Sequence, residues 1–215
     1  MLGIHHYWLF IATAILLVMT PGQDTFFILG RSLSAGRSSG IAAALGISAG
    51  SVIHTFAAAL GLSALLATSP YAFMAVKFAG AAYLIYIGVR ALWSRGNGLS
   101  GRDVSRGDAD GPSKRQWSAF HQGVLSNLLN PKVALFFLAL MPQFIDAGSP
   151  NKVGAFLVLG LTFVTLGVVW CVVLAVAAAK LRGAFLRRPS MANVLNKVAG
   201  AMFIALGLKL ATARQ

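Results

Sequence analysis

The residues best suited to chemistry lie inside one of the long apolar stretches of the chain, in the run Thr20-Pro21-Gly22-Gln23-Asp24. Proline has no backbone N–H to donate and glycine loosens the backbone, so a helix is expected to break or kink here. Asp24 follows the break directly, although an ionised carboxylate inside a membrane costs a few kcal/mol. The pattern therefore predicts that Asp24 faces a polar cavity and binds a cation or cycles a proton. The alternatives are that Asp24 is solvated near the edge of the stretch or caps the restarted helix.

An equivalent break is predicted in another apolar stretch, at Asn127-x2-Asn130-Pro131-Lys132. The start of a half-helix after Pro131 would offer free N–H groups and partial positive charge, which suit a carboxylate ligand. The ammonium group of Lys132 could neutralise Asp24 or contact an anionic group of a substrate. Alternatively, Lys132 could snorkel to an interface.

His54 lies midway along another apolar stretch, in the pattern Gly46-x3-Gly50-x3-His54. Small residues at this spacing let helices pack closely, either inside one bundle or in a homodimer. His54 itself is interpreted either as a proton relay or as a packing histidine. Beside the first break, Gln23 adds a hydrogen-bonding amide.

Groups needed for other chemistries are missing from the sequence. It has no glutamate, no P-loop and no His-Glu-x2-His zinc motif, and Asp24 is its only carboxylate inside an apolar stretch. A membrane hydrolase would need a nucleophile with a base, or paired acids, so the chain is not expected to be an enzyme. ATP-driven pumping within the chain is excluded, and neither a metal nor another cofactor is expected.

Long apolar segments must position these polar residues. The chain has 215 residues, of which 57% are hydrophobic and 11% charged, whereas soluble domains carry about 25% charged residues. An all-α integral membrane protein is therefore predicted, because backbone polar groups in lipid must be satisfied within each segment. Crossing a bilayer takes about 20 residues. Six segments are long enough: 7–30, 40–67, 70–93, 120–144, 153–179 and 194–213.

The positive charges indicate an orientation. The net charge is +13, and the Lys and Arg residues cluster in the first, third and fifth connections, whereas the second has none and the fourth has only Lys152. This alternation predicts that these three connections face the cytoplasm and that both termini lie outside a bacterial inner membrane. It also argues against nucleic-acid binding, which needs a solvated basic face.

The two breaks belong to a repeat. Two motifs of the first half recur in the same order in the second: Pro21-x4-Phe26-Phe27 as Pro131-x4-Phe136-Phe137, and Lys77-x2-Gly80 as Lys197-x2-Gly200. Each half has three segments, so the second must enter the membrane inverted, with the site near the midplane. We therefore predict a three-helix repeat over 1–93, a cytoplasmic linker over 94–118 and an inverted repeat over 119–215, with the first and fourth helices broken.

Taken together, the motifs resemble the LysE/RhtB family of bacterial amino-acid exporters. The resemblance runs nearly end to end and rests on these runs: Thr20-Pro21-Gly22-Gln23-Asp24, Gly36-Arg37-x2-Gly40, Leu45-Gly46-Ile47-x2-Gly50, Lys77-x2-Gly80-x2-Tyr83-Leu84, Phe120-x2-Gly123-x3-Asn127-x2-Asn130-Pro131-Lys132 and Pro142-Gln143-Phe144. One departure is Gln23, because many members read Pro-Gly-Pro-Asp at this point.

The resemblance implies a secondary transporter that exports a neutral amino acid or close derivative, of homoserine/threonine or branched-chain type, by exchange with protons. A passive channel for a small polar solute is the alternative. The candidate residues for binding substrate or protons are Asp24, Pro21, Gly22, Gln23, Asn127, Asn130, Pro131, Lys132 and His54. In the expected mechanism, Asp24 holds a proton or the substrate's ammonium group, and the substrate's carboxylate meets the half-helix near Lys132.

Overall fold

The computed structural model describes residues 2–62 and 111–180, together with isolated positions between 74 and 89 and between 201 and 208. The predicted third and sixth membrane segments, most of the linker and the second motif of the repeat lie outside the described residues. The described residues are mainly helical, and their one isolated β-bridge joins Ile4 to Ile145.

Five α-helices follow one another in the described residues: α1 Tyr7–Met19, α2 Gln23–Ala57, α3 Pro112–Leu128, α4 Pro131–Leu135 and α5 Lys152–Lys180. A wider π-helical turn over Ala58–Leu62 extends α2. Another π-helical turn over Phe136–Leu140 and a 3₁₀ turn over Met141–Phe144 extend α4. α3 begins within the predicted linker over 94–118, because Pro112 is well suited to the first turn of a helix.

Both predicted helix breaks are present. Thr20 separates α1 from α2 with φ −63° and ψ 120°, and Asn130 separates α3 from α4 with φ −78° and ψ 107°. Each residue precedes a proline, and the proline ring pushes the preceding residue from the α region into the extended region. At the second break the two helices, Pro112–Leu128 and Pro131–Phe144, are bent by 47°.

α2 folds back on itself at Gly36, which has φ 83° and ψ −177°, a conformation that glycine adopts readily. A Cβ added to Gly40 would overlap the hydroxyl of Ser32, although eight residues of straight helix span about 12 Å. The parts 23–35 and 37–57 therefore run antiparallel. One buried cluster contains residues of both parts: Ile28, Ala44 and Ile47.

The apolar helices are long enough to cross a membrane. In the described part of the chain, Gln23–Gly61 and Lys152–Lys180 qualify by length and composition, and the bent pair around Asn130 adds a third if it is counted as one span. Because the chain reverses at Gly36, the part 23–35 continues the broken first span that starts with α1. The count of six spans and the inverted repeat remain predictions, since the third and sixth segments lie outside the described residues.

Aromatic side chains pack α1, the extension of α4 and α5 together. The ring of Phe136 lies 5.9 Å from that of Phe10 and 4.4 Å from that of Phe163, and the ring of Phe144 lies 5.3 Å from that of Phe10. All four side chains are buried. Since lipid tails are as apolar as these rings, close van der Waals contact rather than escape from water stabilises this cluster.

Small residues pack α2 against α3. A Cβ on Gly123 would lie 2.5 Å from the carbonyl oxygen of Ala43, and a Cβ on Gly46 would overlap the carbonyl oxygen of Phe120. Only glycine permits backbones to approach this closely. The Gly46-x3-Gly50 face is therefore used inside the chain, which was one of its two predicted uses. A homodimer remains a prediction that this face does not support.

The N-terminal residues lie against the connection between α4 and α5. The backbone N–H of His5 donates to the carbonyl of Phe144 at 3.1 Å, and that of Asp146 donates to the carbonyl of Gly3 at 2.8 Å. The N-terminus and this connection therefore lie on the same side of the bundle. The predicted alternation of charged and uncharged connections requires the N-terminus and this connection to share a side. That this side is the outside of the membrane remains a prediction.

Candidate functional site

The two helix breaks cross each other in antiparallel fashion. Asn127, which precedes the second break, bonds to Asp24, which follows the first. Lys132, which follows the second break, bonds to the carbonyls of Leu17 and Thr20, at the end of α1. Residues from both predicted repeats thus build one site, as an inverted repeat would require.

Asp24 is buried and hydrogen-bonded. Its side chain is 8% exposed, the amide of Asn127 donates to Oδ2 at 2.9 Å, and the hydroxyl of Ser126 donates to Oδ1 at 3.3 Å. This burial contradicts the alternative of a solvated aspartate at the edge of the stretch. Asp24 also lies in the first turn of α2, where the helix dipole favours a negative charge. Asp24 therefore lies at the start of the restarted helix and is also buried in a polar site.

Lys132 is also buried, with 7% of its side chain exposed, so it does not snorkel to an interface. Its ammonium group donates to the carbonyl of Thr20 at 2.9 Å and to that of Leu17 at 3.3 Å. The last carbonyls of a helix have no intrahelical partner, and a cation satisfies them well. The described residues contain one ion pair within 4 Å, between His5 and Asp146. Lys132 and Asp24 therefore make no direct pair.

Asn127 connects the acid to two further polar residues. The side chain is fully buried, and its Oδ1 accepts a hydrogen bond from the hydroxyl of Ser51 at 3.3 Å. Its backbone carbonyl lies 3.3 Å from Nε2 of His54, which must donate because a carbonyl only accepts. The imidazole also stacks on Phe137, with ring centroids 5.6 Å apart. His54 thus has a packing contact, while its role as a relay remains a prediction.

Asn130 caps the start of α4, and Pro131 is the first residue of this helix. The side-chain oxygen of Asn130 accepts from the backbone N–H of Lys132 at 3.1 Å, and its carbonyl accepts from that of Val133. Pro131 has no N–H. The expectation of free N–H groups at this half-helix is therefore wrong, because Asn130 already satisfies them. Positive charge at this end comes from the side chain of Lys132 instead.

The remaining candidate residues shape the first break. A Cβ on Gly22 would lie 3.3 Å from the ammonium nitrogen of Lys132, so the missing side chain leaves room for that group. The amide of Gln23 lies 3.4 Å from the carbonyl and hydroxyl oxygens of Ser126. Pro21 contributes the break itself.

A cavity of about 40 Å³ opens between the breaks. Its polar lining comes from Asp24, Thr25, Ser51, Asn127 and Lys132. The other lining residues are Leu17, Val18, Ile47, Val133, Phe163, Gly167, Trp170 and Cys171. One water needs about 10–15 Å³ by this kind of measure, so the cavity has room for a few waters. A larger solute would enter only after the helices move apart.

One wall of this cavity was not predicted. Phe163, Gly167, Trp170 and Cys171 of α5 line it, and their spacing places them on one helical face. That spacing was available in the sequence. Their apolar character made the segment look like a plain membrane helix, so none of its residues was predicted to line the site.

Comparison with known proteins identifies relatives along nearly the whole chain. The family model described as LysE type translocator matches residues 15–214. An uncharacterized membrane protein of Vibrio cholerae is 34% identical over 210 residues, covering 97% of this chain and 98% of the relative. Another from Pseudomonas aeruginosa is 32% identical over 212 residues, covering 99% and 97%. The leucine efflux protein of Salmonella typhimurium is 30% identical over 211 residues, covering 98% and 96%. No solved structure matches the chain significantly.

Proposed function

The chain belongs to the LysE family of translocators, a multi-pass membrane family, and from this premise we propose that it exports a neutral amino acid or close derivative from the cytoplasm. The substrate is of homoserine/threonine or branched-chain type, and the chain works in a bacterial inner membrane with both termini outside. The name of the Salmonella relative, a leucine efflux protein, supports the branched-chain type.

One observation supports this function above all others. The carboxylate of Asp24 and the ammonium group of Lys132 line the same buried cavity without pairing with each other. An amino acid carries one charge of each sign on neighbouring groups, and a buried charge is stable only when it is paired and hydrogen-bonded. A zwitterion between Asp24 and Lys132 would pair both charges at once.

In this proposal each break binds one end of the substrate. The substrate's ammonium group binds the carboxylate of Asp24, which Asn127 holds in place. Its carboxylate binds the ammonium group of Lys132, which the carbonyls at the end of α1 hold in place. The cavity must widen to admit a whole amino acid, and rocking of the two halves about the crossed breaks would open it to each side in turn.

Proton exchange completes the cycle. A proton that enters from outside neutralises the Asp24 carboxylate, removes the attraction for the substrate's ammonium group and releases the amino acid. After the site turns inward, Asp24 loses that proton to the cytoplasm and binds the next substrate. His54 is the nearby group that could carry the proton, because it reaches Asn127 beside Asp24.

The replacement Asp24→Asn tests this role with little change of shape. In proteoliposomes loaded with labelled leucine or threonine, we expect efflux driven by an imposed proton gradient to fall to the rate of empty vesicles. Asp146→Asn is the matched control, because Asp146 is exposed and lies outside the cavity, so that variant should keep the native rate. Export by Asp24→Asn at the native rate, with unchanged pH dependence, would exclude this mechanism.

A passive channel is distinguished by counterflow. Unlabelled substrate on the far side of the membrane should accelerate movement of labelled substrate through a carrier, because the loaded site reorients. A pore would show no such acceleration, and that result in the native protein would favour the channel.

A further inference from the structure

Gly167 has an unusual position among the glycines of α5. A Cβ added there would meet no atom of the described residues within 4 Å, and Gly167 lines the cavity that contains Asp24 and Lys132. A Cβ on Gly160 of the same helix would instead overlap the side chain of Thr55. Gly160 is therefore required for helix packing, whereas packing against the described residues does not explain the glycine at position 167.

The neighbours of Gly167 along α5 are large and apolar. Phe163 lies one turn before it and is buried, and Trp170 lies one turn after it, and both line the same cavity. The missing side chain leaves a recess between two rings. Val133 and Val18 add further aliphatic lining.

We propose that Gly167 sets the size limit for the substrate's side chain, which lies in the recess between Phe163 and Trp170. This inference rests on the proposed function, in which Asp24 and Lys132 bind the two charged groups of an amino acid. An aliphatic side chain fits the recess, because Phe163, Val18 and Val133 give it an apolar lining. A charged side chain would be buried there without a partner, since Asp24 and Lys132 already bind the two charged groups of the amino acid. The preferred substrates are then amino acids with branched aliphatic side chains.

A side chain at position 167 should exclude large substrates and spare small ones. We expect Gly167→Val to lower the initial rate of leucine export about 10-fold or more relative to alanine export, since a few methylene groups in an apolar pocket change selectivity by this order. Gly167→Ala should give a smaller shift in the same direction, with valine affected less than leucine. The measurement is the leucine-to-alanine ratio of rates in proteoliposomes, which is independent of the amount of folded protein.

Gly30→Val is the matched control. Gly30 also lies within a helix, and a Cβ there would meet no atom within 4 Å in the part of the chain that the structure describes, but it does not line the cavity. Its leucine-to-alanine ratio should stay native. Equal loss of leucine and alanine export in both Gly167 variants, or an unchanged ratio, would overturn the proposal for Gly167 alone. A native protein that exports no amino acid would instead overturn the proposed function.

Discussion

The two helix breaks follow the same sequence plan but satisfy their backbones differently. At the second break, Asn130 caps the start of α4 with its own side chain, and Pro131 removes one N–H that would need a partner. At the first break, Gly22 begins α2 without a side-chain cap. The end of α1 depends on Lys132, which comes from the other half of the chain.

This difference suggests why the two halves act together. The helix start at the second break is capped locally by Asn130, whereas the first break needs Lys132 for the carbonyls of α1 and Asn127 for the carboxylate of Asp24. Any motion that separates the halves must therefore loosen the first break before the second. We infer that the first break is the part of the site that changes during transport, and that the second break serves as the fixed frame.

The replacement Lys132→Met should have the largest effect, because it removes the cation that bonds to the end of α1 at the first break. It removes a hydrogen-bond donor from the carbonyls of Leu17 and Thr20, and it removes a positive charge from the cavity that Asp24 lines. We expect a loss of about 3 kcal/mol in the free energy of unfolding in detergent, together with loss of export. Lys152→Met is the control, because Lys152 lies at the start of α5 outside the cavity.

Combining Lys132→Met with Asp24→Asn sharpens this test. If the two charges support each other across the cavity, the double variant should be more stable than the sum of the single losses by about 1–2 kcal/mol. Strict additivity would mean that Lys132 acts on the α1 carbonyls alone. A Lys132→Met protein as stable as the Lys152→Met control would contradict the dependence of the first break on the second half.

The sequence predicts the helix breaks well, because their cause is local. Pro21 and Pro131 act on the residue just before them, and the buried acid and amides next to them mark a polar site. It does not predict the partners of Lys132, because a backbone carbonyl has no signature of its own and Thr20 lies far away in the chain. The expectation of free N–H groups after Pro131 failed because it overlooked the cap that Asn130 itself provides.

The fold shows the same limit. The hairpin within α2 turns on a single residue, Gly36, in a run that otherwise has helical geometry. The connection is therefore far shorter than residues 31–39, which the sequence left between the first two predicted segments. The cavity wall of α5 was missed for a different reason. Lipid and an apolar recess select the same side chains, so hydrophobicity alone could not separate the face around Gly167 from the lipid-facing surface.

The replacement Asn127→Ala should have an intermediate effect. It removes the 2.9 Å hydrogen bond from the second half to the Asp24 carboxylate, and a hydrogen bond to a charged group contributes about 2 kcal/mol. Ser126→Ala removes the longer 3.3 Å bond to the same carboxylate and should cost less than about 1 kcal/mol. Unfolding in detergent measures both. The reverse order would mean that Ser126, and not Asn127, holds the acid in place.

The smallest effect is expected at the local cap of the second break, and Asn130→Ala measures it. Removing a side-chain cap costs about 1 kcal/mol, and Asn151→Ala is a close match, because Asn151 caps the start of α5 through the N–H of Gly154 at 2.9 Å. Both variants should lose similar stability. Only Asn130→Ala should also slow export, since Asn130 orients the backbone from which Lys132 extends into the cavity. Equal export by the two variants would show that the second break tolerates a loosened frame, and the proposed division between a moving first break and a fixed second one would then be wrong.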